Sequence, residues 1–185
     1  RMIREGVPSI INPEDKNALV EALKIKKDNG AKVVVLTMGP PQAEDALRET
    51  LAMGADEAIL LCDMKFAGSD TWATANALSA AVKKLGAYDL ILCGRQAIDG
   101  DTAQVGPQLA EALGIPQITY AQKIELNNNL VKVERELEDG YEVIEANLPA
   151  LITCTNNINQ PEYPTLQGIE DAFEKEINKL TAAGV

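Results

Sequence analysis

Leu90-Ile91-Leu92-Cys93-Gly94-Arg95-Gln96-Ala97-Ile98-Asp99-Gly100-Asp101-Thr102-Ala103-Gln104-Val105-Gly106-Pro107 is the stretch on which the fold turns. Its first four residues read as a buried strand, the middle as a Gly- and Asp-rich loop, and Gln108, Leu109, Ala110, Ala112 and Leu113 carry on at helical spacing. In open α/β sheets, ligands bind outside the carboxyl ends of the strands. Backbone N–H groups at the following helix start can hold a phosphate, and small residues let the chain approach it. The plainer reading is an ordinary strand-to-helix turn, with glycine for tight geometry and Asp or Thr as the cap. Neither Gly-x-Gly-x-x-Gly nor Gly-Lys-Ser/Thr occurs, so a nucleotide here would be held in a less standard way.

Upstream, the same order of elements recurs. Asn12-Pro13-Glu14-Asp15 starts a helix, with Asn12 as cap, Pro13 at the first helical position and acids in the first turn. Ala18, Leu19, Ala22, Leu23 and the stem of Lys26 mark one face, and Gly30 stops the helix. A buried strand is expected over 32–37, after which Met38-Gly39-Pro40-Pro41 turns into a helix carrying Ala43, Ala46, Leu47 and Leu51. Gly54 ends that helix, 58–62 reads as a strand, and 70–85 as an alanine-rich helix burying Ala73, Ala77, Ala80, Ala81 and Val82. Repetition of strand, loop and helix predicts a Rossmann-like parallel sheet with helices on both faces.

After Pro116 the period changes to two. Ile124 and Leu126, then Leu130, Val131 and Val133, then Tyr141, Val143 and Ile144 predict an antiparallel meander, with turns at Asn127-Asn128-Asn129 and Asp139-Gly140. An apolar strand returns over 148–153. The polar segment 156–165, punctuated by Pro161 and Pro164, reads as an exposed loop, and 168–180 as an amphipathic helix with Ile169, Ala172, Phe173, Ile177 and Leu180 on one side. The chain thus divides into an α/β domain over 1–154, which includes the meander at 117–147, and a C-terminal loop and helix over 155–185.

Composition narrows the function. The 185 residues are 46% hydrophobic but only 4% aromatic, so Ala, Leu, Ile and Val must build the core, the usual filling of parallel α/β proteins. A net charge of −11 argues against nucleic acid and anionic membranes, which attract clustered Lys and Arg. Simple solubility accounts for the charge equally well. Histidine is absent, which removes the commonest general base and metal ligand, and no nucleophile-base constellation marks a hydrolase. Cys62, Cys93 and Cys154 each end an apolar run and read as buried reduced thiols, so no metal is expected and a reducing, cytoplasmic location is. No apolar run is long enough to span a bilayer, so no membrane insertion is expected either.

Four blocks resemble the β subunit of electron transfer flavoprotein. They are Arg4-Glu5-Gly6-Val7-Pro8-Ser9-Ile10-Ile11-Asn12-Pro13, Ala52-Met53-Gly54-Ala55-Asp56, the Gly94–Pro107 loop, and 133–143 continued through Leu148-Pro149-Ala150-Leu151-Ile152-Thr153. The resemblance implies a heterodimer in which the α subunit carries an FAD and the β subunit holds a nucleotide, with a further strand ahead of residue 1. In many members that nucleotide is AMP with a structural role. In electron-bifurcating members it is a second FAD, which takes hydride from NADH and divides the electrons between the α-subunit FAD and another acceptor, so NADH oxidation belongs to the heterodimer. A stand-alone ATP-binding regulatory module of the same fold is the alternative from another class.

Carried over by position, the nucleotide site comprises Asn12, Pro13, Asp15, Met38, Gly39 and the run Gly94, Arg95, Gln96, Ala97, Ile98, Asp99, Gly100, Asp101, Thr102, Ala103, Gln104 and Val105. AMP-holding members carry Asn-Gln-Thr in place of Ala103-Gln104-Val105 and a second acid in place of Gly100, so the spelling here is similar to the bifurcating type. Tyr163, Leu166 and Ile169 resemble a loop that docks partner dehydrogenases, with Leu166 as the apolar anchor. Where some members continue in lysines, this chain has Glu170, Asp171, Glu174 and Glu176. An acyl-CoA dehydrogenase-type flavoenzyme and a ferredoxin or flavodoxin are the implied electron acceptors.

Overall fold

The structure, a computed structural model, describes residues 9–185, so the part of the first family block at residues 4–8 lies outside the described residues. The helices are α1 (Pro13–Asn29), α2 (Ala43–Met53), α3 (Thr71–Leu85), α4 (Val105–Leu113) and α5 (Leu166–Glu174). The strands are β1 (Val34–Met38), β2 (Glu57–Leu61), β3 (Leu90–Gly94), β4 (Gln117–Asn127), β5 (Leu130–Leu137), β6 (Gly140–Asn147), β7 (Ala150–Cys154) and β8 (Ile177–Leu180). They form two sheets, β1-β2-β8, which is wholly parallel, and β3-β7-β4-β5-β6, which is parallel at one end and antiparallel at the other. This is the mixed α/β architecture predicted, with helices on both sides of parallel strands.

The reason is visible in burial. β2 and β7 carry continuous apolar runs, Ala58-Ile59-Leu60-Leu61 and Ala150-Leu151-Ile152, and each is buried on both faces. α1 links the sheets: Ala18 joins Ile118, Val131, Val133 and Ile152, whereas Leu19 joins Val33, Leu47, Leu51 and Leu60. On the other side, α3 lies against α4 and β1, with Ala75 packed on Leu109, Ala110 and Leu151. α3 buries Ala75, Ser79 and Ala81, so the predicted stripe is turned: Ala73 is exposed, and Ala77 and Ala80 are half-buried.

Two further elements differ from expectation. β4 is longer than the period-two run suggested, and its first residues pair in parallel with β7 before Ala121 hands over to antiparallel pairing with β5. A register shift between Ile118 and Ala121, with Tyr120 at φ 58°, makes that change possible. The expected helix over 168–180 ends at Glu174, and Ile177–Leu180 becomes β8, parallel to β2. Apolar residues at both 177 and 180 suit a helix face and a short strand alike. The open edge of β2 decides between them, because backbone groups at the last residues gain a ladder there.

Candidate functional site

α1 begins against the Gly94–Pro107 loop. Asp15 Oδ1 accepts from the Gly94 N–H at 2.6 Å, Glu14 Oε2 from the Gln96 N–H at 3.2 Å, and Asn12 Oδ1 from the Ile98 N–H at 3.1 Å. Asn12 also donates through Nδ2 to Gln96 O at 2.8 Å and to Asp15 Oδ2 at 2.9 Å. Asn12 is therefore the cap residue of α1 by position, but its amide serves the loop and makes no capping bond. The approach is tight: a Cβ on Gly94 would stand 2.7 Å from Asp15 N and 2.8 Å from Glu14 C. Glycine at 94 is accordingly a packing requirement.

These bonds redistribute the loop's donors. The N–H groups of Gly94, Gln96 and Ile98, at the start of the loop, are consumed by α1 side chains. At its end, α4 starts at Val105 with no side-chain cap and no acid in its first turn, and among the described residues nothing accepts from the N–H groups of 102–106. Asp101 and Ala103 adopt left-handed backbone, φ 49° and 52°, which is uncommon for residues with a Cβ. Alternating backbone of this kind turns successive N–H groups into an anion-binding concavity. A Cβ at Gly100 would meet no atom within 4 Å, so packing gives no reason for glycine there, whereas one on Gly106 would strike Thr153 at 2.7 Å.

Charge distinguishes the two helix starts. Glu14 and Asp15 put carboxylates at the α1 start, Glu14 pairing with Arg95 at 3.1 Å. Burial pushes the Asp15 carboxyl up, against hydrogen bonds from Gly94 and Asn12 that pull it down. An anion is therefore better placed at α4, where the helix dipole is unopposed by a first-turn acid. Asp101 is engaged by the Gln96 side chain, and residues 97–102 are exposed.

The remaining residues of the expected site fall on the same edge. Thr71 Oγ1, at the start of α3, donates to Gln104 Oε1 at 3.1 Å, so the starts of α3 and α4 lie side by side. Met38 ends β1 and Gly39 follows it; β1 runs parallel to β2, so both share that edge, without a direct bond to the loop among the described residues. Glycine at 39 is explained by Ala43, whose Cβ would lie 2.9 Å from an added one. Pro13 is exposed at the first turn of α1. The sequence reading did not single out Glu14 or Thr71 as part of this edge. Glu14 stands among the acids of the first turn, but nothing in a single chain says which of them will face a loop 80 residues on. Cys93 and Cys154 are free thiols held up by burial, and no cluster of metal-ligating side chains occurs among the described residues.

Parallel strands flanked by helices, with an uncapped helix start at one edge, define a mixed α/β protein. The electron transfer flavoprotein domain model matches residues 1–185. Among curated proteins, the electron transfer flavoprotein subunit beta of Thermoanaerobacterium thermosaccharolyticum is 61% identical over 182 residues, covering 98% of this chain and 70% of that protein. The caffeyl-CoA reductase-Etf complex subunit CarD of Acetobacterium woodii is 58% identical, covering 95% and 68%. The acryloyl-CoA reductase electron transfer subunit gamma of Anaerotignum propionicum is 53% identical, covering 93% and 66%. This chain belongs to the electron transfer flavoprotein family, on its beta-subunit side, a family of electron carriers whose beta subunit pairs with an alpha subunit. No helix among the described residues is long and apolar enough to cross a membrane.

Proposed function

We propose that this chain is the beta subunit of an electron-bifurcating electron transfer flavoprotein and that it holds FAD at the edge formed by α1, the Gly94–Pro107 loop and α4. The observation that carries the reading is the α4 start. Among the described residues its N–H groups lack protein acceptors, its first turn lacks an acid, and Gly100 beside it has open space where a side chain would be. In this reading the N–H groups of 102–106 bind phosphate oxygens, Asn12 and Asp15 hold the loop in the conformation that presents them, and Gly100, Ala103 and Val105 leave room for a ligand that continues past its first phosphate. Bound there, FAD supplies the capacity to take two electrons from NADH and release them singly. The protein's part is binding, orientation and electrostatic surroundings.

Flavin counted per heterodimer after co-purification with the alpha subunit tests the reading. Two flavins and bleaching by NADH are expected; one flavin with AMP released on denaturation would instead make this a structural AMP site. A lone monomer binding ATP without flavin would favour the regulatory module. The docking role follows the same reading: Tyr163, Leu166 and Ile169 present the chain to an acyl-CoA dehydrogenase-type flavoenzyme, with ferredoxin or flavodoxin as the second acceptor. Leu166→Ala should lower electron delivery to the flavoenzyme much more than NADH-driven flavin reduction. Equal loss of both would sink the docking role.

A further inference from the structure

We infer that α5 is a two-anchor docking helix, Leu166 and Phe173, built for a partner surface with two apolar pockets rimmed by Lys and Arg. This rests on the docking role proposed above and adds the second anchor and the partner's charge. Gly168 and Ala172 face α2: Ala172 is buried, and a Cβ on Gly168 would run into the Ala52 carbonyl oxygen. At about 100° per residue, Leu166 and Phe173 fall on the opposite side of the helix, one above the other, about 10 Å apart along the axis. They are 84% and 74% exposed, with Tyr163 at 92% just before the helix. A helix that turns small residues inward and its largest apolar side chains outward has no partner for them among the described residues.

The helix is also fixed in place. Thr165 caps it by accepting from the Gly168 N–H at 3.0 Å, and Arg48 of α2 donates to the carbonyls of Ala172 and Lys175 at its far end. Lys175 in turn donates to Ala55 O at 2.8 Å. Rigid presentation of an apolar stripe lowers the ordering cost of binding.

Charge names the occupant. Glu170 and Glu174 lie along one side of the stripe, with Asp171 and Glu176 nearby, all exposed, and none of the four takes part in an ion pair among the described residues. The two local lysines are turned away, Lys175 to Ala55 and Lys179 to Glu44 at 2.7 Å. An apolar stripe bordered by unneutralised acids is complementary to apolar pockets bordered by Lys and Arg.

The test uses the heterodimer and, as the probe, the acyl-CoA dehydrogenase-type flavoenzyme from the same organism, with association followed by surface plasmon resonance at several salt concentrations. Phe173→Ala and Leu166→Ala should each weaken binding about thirtyfold, the loss of a buried anchor. The Glu170→Lys/Glu174→Lys double variant should slow association about tenfold and flatten its salt dependence. If Leu166→Ala weakens binding but Phe173→Ala does not, the second anchor is wrong while the docking role stands. Unchanged association and salt slope in the double variant would overturn the basic rim. If neither anchor matters, the docking role itself fails. Loss of heterodimer assembly in Phe173→Ala, read by gel filtration, would assign the stripe to the alpha subunit and overturn the inference.

Discussion

At Gly94 and Gly100 the same residue type does different work, and the difference is measurable. Gly94→Ala drives a methyl into the backbone of Asp15 and Glu14, which belongs to a helix start and cannot swing aside. It should cost about 1–3 kcal/mol, as overpacking does, and lower the melting temperature by about 2–4 °C for each kcal/mol. Gly100→Ala meets nothing within 4 Å. Its melting temperature should match the parent's, and flavin retention should be what falls; unchanged retention would remove Gly100 from the site. Asp15 gives a pH signature. Its carboxyl is held above 3.8 by burial, so folding penalises the ionised form; the penalty is full above the raised pKa and is relieved as pH falls through it. Asp15→Asn keeps an acceptor for the Gly94 N–H but cannot ionise. The stability difference, variant minus parent by urea midpoint, should therefore grow as pH rises from 4 to 7, and parallel profiles would contradict it.

The element order was readable because its signals are local. Asn12-Pro13 and Gly30 bracket α1, Asp70 caps α3 by accepting from the Ala73 N–H at 2.8 Å, and Asn127–Asn129 turns β4 into β5 with Asn128 at φ 52°. What was not readable depended on partners distant in sequence. Ile177–Leu180 becomes a strand because β2 offers an edge, and β4 pairs in parallel with β7 because Thr153 Oγ1 accepts from the Tyr120 N–H at the register shift. The loop shows the same division: its place after β3 was evident, yet that its first N–H groups answer to α1 and its last are left open required the packed structure. The α5–β8 junction carries a prediction at this scale. Arg48→Ala removes the donor to Ala172 O and Lys175 O, at a cost of about 1.5–3 kcal/mol for each charged hydrogen bond at most. Hydrogen exchange should rise in residues 166–180 and stay unchanged in α3 and α4. Uniform change across the chain would mean that α5 and β8 open only with the whole domain.

For the whole molecule, the decisive feature is that each sheet ends in a strand that does not have the exposure of an ordinary edge. β1 and β3 are the terminal strands nearest α1 and α3, and their Val34, Leu36, Leu90, Ile91 and Leu92 are half-buried or exposed, whereas the neighbouring β2 and β7 are almost wholly buried. α1 packs over both sheets on one side, and α3 touches β1 and α4 on the other, so the two open edges lie beneath the same pair of helices. A parallel strand between β1 and β3 would join the sheets and cover these side chains. The outer backbone edges of β1 and β3, unpaired among the described residues, make the same demand, since a row of open N–H and C=O groups is a template for pairing. An apolar strand added between β1 and β3 should therefore contribute on the order of 1 kcal/mol for each half-exposed side chain it covers. Hydrogen exchange locates the effect: β1 and β3 amides should exchange much faster than those of β2 and β7, and an added strand between them should slow β1 and β3 selectively. If they are already as protected as β2 and β7, the edges are closed some other way and no strand is needed between them.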